Sequence, residues 1–383
     1  MNPSAYDLGP AVAILALGAL VALAPLGWVA MRERDRSWSG LRRGLTWATL
    51  FLTFDLVLFG AFTRLTDSGL GCPDWPGCYG NVSPVGARAH IDAAQSALPS
   101  GPVTHGKAWI EMTHRYLATA VGALIALLAA MSWLAARRGR AQEGCGLAML
   151  TLVWVCLQGA FGALTVTMKL YPAIVTLHLL GGIGLLVLLA AQTQVLEPKA
   201  LPVSTTLLTG IGVVAMLAVA QMALGGWVST NYAVLACRDF PTCQGAWWPP
   251  ADFSAGFHLQ RELGVGPDGE YLPFAALTAI HLAHRIGAVV LIAGLGGLAW
   301  RLARHPQSAV RRWAWPLAGV AAWQVATGLG NVVLGWPMIS AVAHTGGAAA
   351  LAVLLTVLGV RGWQARQVGR AHRPAPVSAR TAS

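Results

Sequence analysis

Charged residues are scarce in this sequence, and acidic residues are the scarcest of them. Asp, Glu, Lys and Arg make up 11% of the 383 residues, whereas soluble domains carry about 25%. Because apolar residues account for 56% of the chain, the composition excludes an ordinary soluble globular protein. The net charge of +11 does not indicate nucleic-acid binding, since the basic residues fall in short clusters between long apolar runs, the pattern that orients membrane proteins.

A helix crosses the hydrocarbon core of a bilayer with about 20 residues, and several apolar stretches of the chain reach that length. The first is too long for a signal peptide and lacks a basic start, so we interpret it as a retained span. We therefore predict an all-α integral membrane protein of about nine spans. They are expected at 10–31, 42–63, 108–135, 146–168, 171–193, 205–229, 273–302, 311–334 and 337–362.

Lys and Arg predict how these spans are oriented, because cytoplasmic loops carry the excess of positive charge. Of the 26 Lys and Arg, 18 lie in segments that alternate with poorly charged loops. These segments are 32–43, 136–144, 194–204, 301–312 and the tail after 360. The pattern puts the N-terminus outside and the C-terminus in the cytoplasm. The two long loops, 64–107 and 230–272, then face the periplasm or its topological equivalent.

Four of the six cysteines lie in those long outer loops, as Cys72 with Cys78 and Cys237 with Cys243. Thiols in an oxidising compartment tend to form disulfides, and five intervening residues is not a usual zinc-ligand spacing. We favour two local disulfides, with free or metal-binding thiols as the alternative.

Matching residues recur at separations of 165 to 170 along the chain, which indicates a duplicated unit. The pairs are Cys72 and Cys237, His114 and His284, Gln158 and Gln324, Gly162 and Gly328, and His178 and His344. Both units run in the same direction, so we predict two four-helix bundles in a parallel repeat, with one extra N-terminal helix. The expected divisions are 1–41 for that helix and its linker, 42–200 and 201–362 for the two halves, and 363–383 for a disordered cytoplasmic tail.

Four histidines fall inside predicted spans at a similar depth: His114, His178, His284 and His344. An intramembrane histidine is a functional candidate by default. Two facing imidazoles at equal depth on neighbouring helices can occupy both axial positions of a haem iron, and the interior of a bundle offers an apolar slot for the porphyrin. Each half is therefore expected to hold one haem. The alternative is that each histidine only makes a hydrogen bond between helices.

The two halves differ three residues before the first histidine of each pair. Glu111 precedes His114 on the same helical face, whereas His281 holds the corresponding place before His284. A carboxylate beside a porphyrin can accept a proton or stabilise developing positive charge. The asymmetry predicts chemistry at the first site and electron transfer at the second. A salt bridge from Glu111 to Arg115 or Lys107 is the alternative, and His281 fits a simple polar contact equally well.

Three arginines, Arg64, Arg115 and Arg285, lie near the outer ends of predicted spans. A guanidinium group suits the carboxylates of haem propionates through paired charge-assisted hydrogen bonds. We expect propionate contacts from these residues, and anchoring at the membrane interface explains them as well.

The ordered segments GAFTRLTDSGLGCPDWPGCYG, EMTHRYLA, LHLLGG, HLAHR and VAHTGG resemble those of the haem A synthases. The resemblance covers roughly 42–362, the whole duplicated region. It implies oxidation of the C8 methyl group of haem O to a formyl group by successive hydroxylations, which gives haem A for cytochrome oxidase. It also implies that the protein keeps a haem b as a cofactor.

Residue by residue, the resemblance implies that His114 and His178 flank the substrate haem, with Glu111 as the catalytic carboxylate. His284 and His344 would hold haem b. A disulfide Cys72–Cys78 matches the bacterial members that carry paired cysteines, and either a structural role or a route for electrons fits it. Nine spans depart from the family's eight through the extra N-terminal helix.

The partners expected from this resemblance are membrane lipid, haem O, haem O synthase, cytochrome oxidase assembly factors and an electron donor of unidentified kind. A homo-oligomer is compatible with the sequence, and the inner membrane is the expected location, with the haem sites towards the periplasm. The rival interpretation is a di-haem b-type protein that passes electrons from quinol and modifies nothing. A haem transporter is the weaker rival, because fixed ligation by two histidines would hinder release. Only the enzyme needs a carboxylate in one half alone.

Overall fold

The computed structural model describes residues 9–33, 37–139, 144–266 and 269–371, and long helices dominate all four ranges. Within them, β-structure is limited to three isolated bridges in the long loops. We number the long helices α1 to α9 in chain order. They are Gly9–Arg32, Trp38–Leu65, His105–Arg137, Cys145–Thr167, Pro172–Leu196, Thr205–Thr230, Phe274–Ala303, Ala314–Val333 and Met338–Ala371.

Eight of these helices are long and apolar enough to cross a membrane, and α8 is the exception among the described residues. Helix α8 has 20 residues and carries Gln324, Thr327 and Asn331, which lower its hydropathy. It nevertheless packs between α7 and α9 as a full member of its bundle. The prediction of an all-α integral membrane protein with about nine spans is confirmed.

Side-chain caps show why several helices begin where they do. The side chains of Ser37, Thr104 and Ser204 each accept a hydrogen bond from the backbone N–H three residues later, which satisfies a donor that the first turn leaves free. Helix α5 instead begins with Pro172, whose fixed φ suits the first helical position. These caps lie within a few residues of the predicted span boundaries.

The nine helices form two four-helix bundles and one additional helix. In the first bundle, α3 and α5 lie diagonally opposite each other, and each contacts both α2 and α4. In the second, α7 and α9 are diagonal and each contacts α6 and α8. Each bundle has its own buried apolar cluster, as a duplicated unit requires.

The bundles meet through α5 and α9, which contact each other. Helix α5 also contacts α6, and helix α9 also contacts α2. At the end that carries the long loops, Arg64 Nη1 donates to the Tyr232 hydroxyl at 2.9 Å and Nη2 donates to the Ser229 carbonyl at 2.7 Å. At the opposite end, Arg361 Nε donates to Gln194 Oε1 at 2.6 Å. Polar contacts therefore join the halves at both ends, and apolar packing joins them between.

Helix α1 lies outside the bundles, along α3. Gly18 allows the close approach, because a Cβ atom there would fall 2.5 Å from a Thr119 side-chain carbon. Near its start, Ile14 is buried in a cluster with Cys72, Cys78 and Met112. The extra helix thus braces the first long loop and the helix behind it.

The chain's C-terminal end differs from expectation. Helix α9 continues to Ala371, so the tail predicted to be disordered from 363 starts with helix instead. Near the start of this extension the Arg361 guanidinium packs over the Trp313 ring, 5.2 Å from its centroid. Residues 372–383 lie outside the described part of the chain. The division into halves at 200 stays a prediction.

Candidate haem sites

The four predicted histidines lie on the diagonal helices of the two bundles. His114 is on α3 and His178 on α5, while His284 is on α7 and His344 on α9. Within each pair, the rings lie in electrostatic range of each other. Each ring also contacts a glycine on another helix of the same bundle, so each pair lies between the helices of its bundle.

Each imidazole packs against a glycine on a neighbouring helix. A Cβ atom placed on that glycine would approach the imidazole Cε1 atom to between 3.0 and 3.3 Å, closer than ordinary van der Waals contact. The pairs are Gly60 with His114, Gly162 with His178, Gly225 with His284 and Gly328 with His344. The same cradle thus occurs four times, and a larger residue at any of the four positions would push the ring out of place.

The polar contacts of the rings are less uniform. Gln158 Nε2 lies 3.1 Å from His178 Nδ1, and Gln221 Nε2 lies 3.0 Å from His284 Nδ1. The Nδ1 atom of His344 lies 2.9 Å from Thr327 Oγ1.

His114 differs from the other three histidines. Its buried Nδ1 has no hydrogen-bond partner among the described residues. The ring stacks beside Phe59, with the two ring centroids 6.2 Å apart.

Glu111 lies one turn before His114 on α3 and is buried, with 4% of its surface exposed. Its Oε2 accepts a hydrogen bond from the Cys72 backbone N–H at 2.8 Å, and its Oε1 pairs with the Arg115 guanidinium. The salt bridge that we considered as an alternative is therefore present. It does not exclude a chemical role, because a buried carboxylate needs such partners to stay ionised.

His281 occupies the corresponding place in the second bundle and is also buried, with 3% exposed. Its Nδ1 lies 3.0 Å from the Ala233 carbonyl oxygen, so it acts as the donor there. The second half thus has a neutral polar contact where the first half has a carboxylate.

Both cysteine pairs form disulfides, Cys72–Cys78 and Cys237–Cys243, which confirms the favoured interpretation. An aspartate organises each disulfide loop. Asp74 accepts hydrogen bonds from the backbone N–H groups of residues 79 and 80, and Asp239 accepts from those of residues 244 and 245. In the second loop, the Thr242 hydroxyl and these backbone donors lower the pKa of Asp239 from 3.8 to about 2.

Arg115 and Arg285 hold the two disulfide loops against their helices. The Arg115 guanidinium donates to the carbonyls of Cys72, Asp74, Pro76 and Gly77, and that of Arg285 donates to Cys237, Asp239 and Thr242. Arg64 joins the bundles instead, as described above. Propionate contacts from these arginines stay a prediction, since the structure gives each of them protein partners.

Sequence reasoning named Gln158, Gly162 and Gly328 only as repeat matches, and it missed the other residues that contact the histidines. Gly60 and Gly225 are 165 residues apart, so the repeat carried a signal for them. Gln221 could not be found in that way, because Leu56 stands at the corresponding position of the first half. Thr327 likewise has Phe161 as its counterpart.

Fold and site together define a polytopic helical membrane protein with two pairs of intramembrane histidines. Residues 43–357 match the model of the COX15-CtaA family, described as cytochrome oxidase assembly protein. A haem A synthase of Shewanella oneidensis is 38% identical over 333 residues, which cover 83% of this chain and 97% of that protein. One from Methylobacterium sp. is 30% identical over 84% of this chain and 92% of its own length.

A third relative, the haem A synthase of Halalkalibacterium halodurans, is 28% identical over 79% of this chain and 90% of its own length. The chain belongs to the haem A synthase family. The electron-transfer alternative finds no support in these matches.

Proposed function

We propose that this protein converts haem O to haem A by oxidising the C8 methyl group of the porphyrin to a formyl group through successive hydroxylations. The observation that carries the proposal is the buried Glu111 beside a histidine pair in one half only. The names of the relatives support the same reaction. A pure electron relay would have no use for this difference between otherwise equivalent bundles.

In this proposal, the substrate haem lies between His114 and His178 in the first bundle. Glu111 is held by the Cys72 N–H and the Arg115 guanidinium, so its orientation is fixed before substrate arrives. Its role is to accept a proton from the substrate carbon or to stabilise positive charge that develops there. The farnesyl tail of haem O lies among the lipid-facing helices.

The second bundle fits a resident haem b. His284 and His344 face the bundle interior, and the cradles at Gly225 and Gly328 leave each ring room that a Cβ atom would fill. A neutral imidazole is an ordinary ligand of haem iron. When bound there, haem b supplies one-electron transfer. The chain's own part is to hold and orient that group close to the substrate bundle.

For the location we propose the inner membrane, with the N-terminus in the periplasm and the C-terminus in the cytoplasm. The clustering of Lys and Arg supports this orientation. The disulfides support a periplasmic position for the long loops, and the histidines lie near the same ends of their helices. Haem O synthase, cytochrome oxidase assembly factors, an electron donor and a second copy of the chain are the partners we propose.

The decisive experiment is to express the protein in cells that supply haem O and to separate the extracted haems by chromatography. We expect the wild type to yield haem A. Glu111→Gln should keep both haems but lose the formyl product, because it preserves the shape of the side chain and removes its charge. If the wild type yields only haem b and haem O, the synthase proposal is wrong.

A further inference from the structure

Acidic residues inside the membrane are confined to the first half of the chain. Of the nine predicted spans, only 42–63 and 108–135 contain one, Asp55 and Glu111 respectively. The position that corresponds to Asp55 in the second half is Ala220. An ionisable group inside a membrane is costly and is a functional candidate by default. Glu111 has a place in the proposed reaction, whereas Asp55 is not yet explained.

Asp55 has surroundings quite unlike those of Glu111. The residue is exposed on the surface of α2, and its carboxyl group makes no hydrogen bond or ion pair with the described residues. A polar group in hydrocarbon without a partner is unfavourable. A bound molecule that brings a hydrogen-bonding group to this point of α2 would therefore be stabilised there.

Helical spacing connects Asp55 with the first histidine pair. Phe51, Asp55 and Phe59 follow one another at intervals of four residues, so they line one side of α2. The Phe59 ring stacks beside His114, with the ring centroids 6.2 Å apart, and Gly60 packs against the same imidazole. Asp55 lies deeper in the membrane than Gly60 by about 7.5 Å of helical rise.

An apolar groove between α1 and α2 continues from Asp55 towards the cytoplasm. It has a volume of about 510 Å³, within the range of about 300–1,000 Å³ that is usual for small-molecule sites. Its lining includes Trp28 and Val29 of α1 and Gly44 and Phe51 of α2. The two helices approach closely at one end, because a Cβ atom on Gly44 would lie 2.8 Å from Val29 Cγ1. From Asp55 to Gly44 the helical rise is about 16 Å, which an extended farnesyl chain can span.

Haem O carries the two groups that such a site would recognise. It has a hydroxyethylfarnesyl group where haem b has a vinyl group, so a hydroxyl stands between the porphyrin and a long isoprenoid chain. A carboxyl group forms a hydrogen bond with a hydroxyl whether it is protonated or ionised. The order of porphyrin, hydroxyl and chain in haem O is also the order of His114, Asp55 and the groove along α2.

We propose that Asp55 and the groove between α1 and α2 bind the hydroxyethylfarnesyl group of haem O, with Asp55 on the hydroxyl and the groove around the chain. The inference rests on the proposed function, because it needs haem O in the first bundle. The two contacts make that bundle selective for haem O over haem b, which gains neither of them. Helix α1 packs on α2 and α3, both of the first bundle, so the extra helix belongs to the substrate site.

Competition between the two haems tests the role of Asp55. The purified protein, from cells that make haem b but not haem O, is incubated with increasing haem O at a fixed concentration of free haem b. Extraction and chromatography then give the haem O bound per protein. Asp55→Leu should raise the haem O concentration at half-occupancy by roughly tenfold, the loss expected for a hydrogen bond to a carboxyl group. Total bound haem should not change, because leucine suits a lipid-facing position and the variant should fold.

Asp55→Asn is the conservative variant, since its amide can still form a hydrogen bond with the hydroxyl. It should recover most of the haem O binding that Asp55→Leu loses. A purely structural need for the carboxylate would not be met by asparagine.

Ala48→Phe tests the groove, because Ala48 is part of its lining and the larger ring occupies the space of the chain. It should weaken haem O binding several-fold without loss of total haem. Val213→Phe is the matched control. Val213 is the counterpart of Ala48 in the second half, 165 residues later, and it is 54% exposed, so this variant should bind haem O as wild type does.

Unaltered haem O binding in either Asp55→Leu or Ala48→Phe would overturn the inference, and in the latter case the groove holds a lipid chain instead. An equal loss in Ala48→Phe and Val213→Phe would overturn it as well. A wild type that binds haem O selectively through Asp55 but makes no haem A would contradict the proposed function alone.

Discussion

At the scale of single residues, the glycines beside the imidazoles give the sharpest prediction. In Gly328→Ala, the added Cβ would lie 3.1 Å from His344 Cε1, and overpacking of this kind costs about 1–3 kcal/mol. We therefore expect haem b content to fall by roughly tenfold, given that about 1.4 kcal/mol is one factor of ten in an equilibrium. The absorbance of the reduced haem per protein measures this.

Gly319→Ala is the control on the same helix, because a Cβ atom at Gly319 meets nothing within 4 Å. It should keep the haem content of wild type. A loss of haem b that is equal in the two variants would mean that helix composition, and not the cradle, matters.

Asp239 predicts a pH dependence in the second disulfide loop. Its pKa of about 2 in the folded protein lies below the ordinary value of 3.8, so the ionised carboxylate stabilises the loop above about pH 4. That contribution is lost as the pH falls through the folded pKa near 2. The protection of the Gln244 and Gly245 backbone amides against hydrogen exchange, relative to their intrinsic exchange rates at each pH, should fall over this range.

Asp239→Asn should show fast exchange at those two amides already at neutral pH, because a neutral amide accepts more weakly than a carboxylate. Glu262→Gln changes an exposed acidic residue of the same loop and should leave their exchange unaltered. Protection that persists in Asp239→Asn would contradict the assignment.

The sequence predicted the charged and polar site residues because such residues are rare inside apolar helices. His114, His178, His284, His344 and Glu111 stand out for that reason alone. The glycines do not stand out, since the chain has 44 of them, and only the structure shows which ones face an imidazole. His114 Nδ1 has no partner among the described residues, and Leu56 stands where the second half has Gln221. In the sequence, Leu56 looks like any other apolar residue of a membrane helix.

At the scale of elements, the first disulfide loop is joined directly to the carboxylate on α3. The Cys72 N–H donates to Glu111, while Arg115 pairs with Glu111 and holds the loop carbonyls. Cys72→Ser combined with Cys78→Ser should loosen this donor, and a hydrogen bond to a charged group is worth enough that haem A yield should fall by roughly tenfold or more.

The second disulfide provides the comparison. His281 bonds to the Ala233 carbonyl, which lies outside the Cys237–Cys243 loop, so its contact does not depend on that disulfide. Cys237→Ser with Cys243→Ser should therefore reduce the yield of haem A much less. Full activity in the first double variant would make its disulfide a bystander. Equal losses in both would indicate a general effect on folding.

At the scale of the whole molecule, the contact between the halves at the outer end is open to a direct test. The Tyr232 hydroxyl accepts from Arg64 at 2.9 Å and donates to Asp67 at 2.6 Å. Tyr232→Phe removes both bonds and should lower the free energy of unfolding by about 1 kcal/mol. Thermal unfolding in detergent measures the change, with Tyr271→Phe as the control because that side chain is 92% exposed.

The duplication and the number of helices could be read from the sequence, because the repeat leaves matching cysteines and histidines at nearly constant separations. The way the bundles meet could not. Arg64 was expected to contact a propionate, and nothing in its surroundings along the chain indicates Tyr232, 168 residues away. Likewise, α9 extends beyond its apolar segment, where Arg361 contacts Gln194 and Trp313. Both of these residues are distant from Arg361 in the sequence.

The residues in this outer contact have a further meaning. Arg64 contacts Ser229, and Asp67 contacts Tyr232. Both pairs are 165 positions apart, so each residue contacts its own counterpart in the other half. A surface that binds an equivalent copy of itself is the mark of a twofold homodimer. The two halves of this one chain therefore meet as the subunits of a twofold homodimer do, with one histidine pair on each side. Because both halves belong to one chain, equivalent positions can carry different residues, as Glu111 and His281 do.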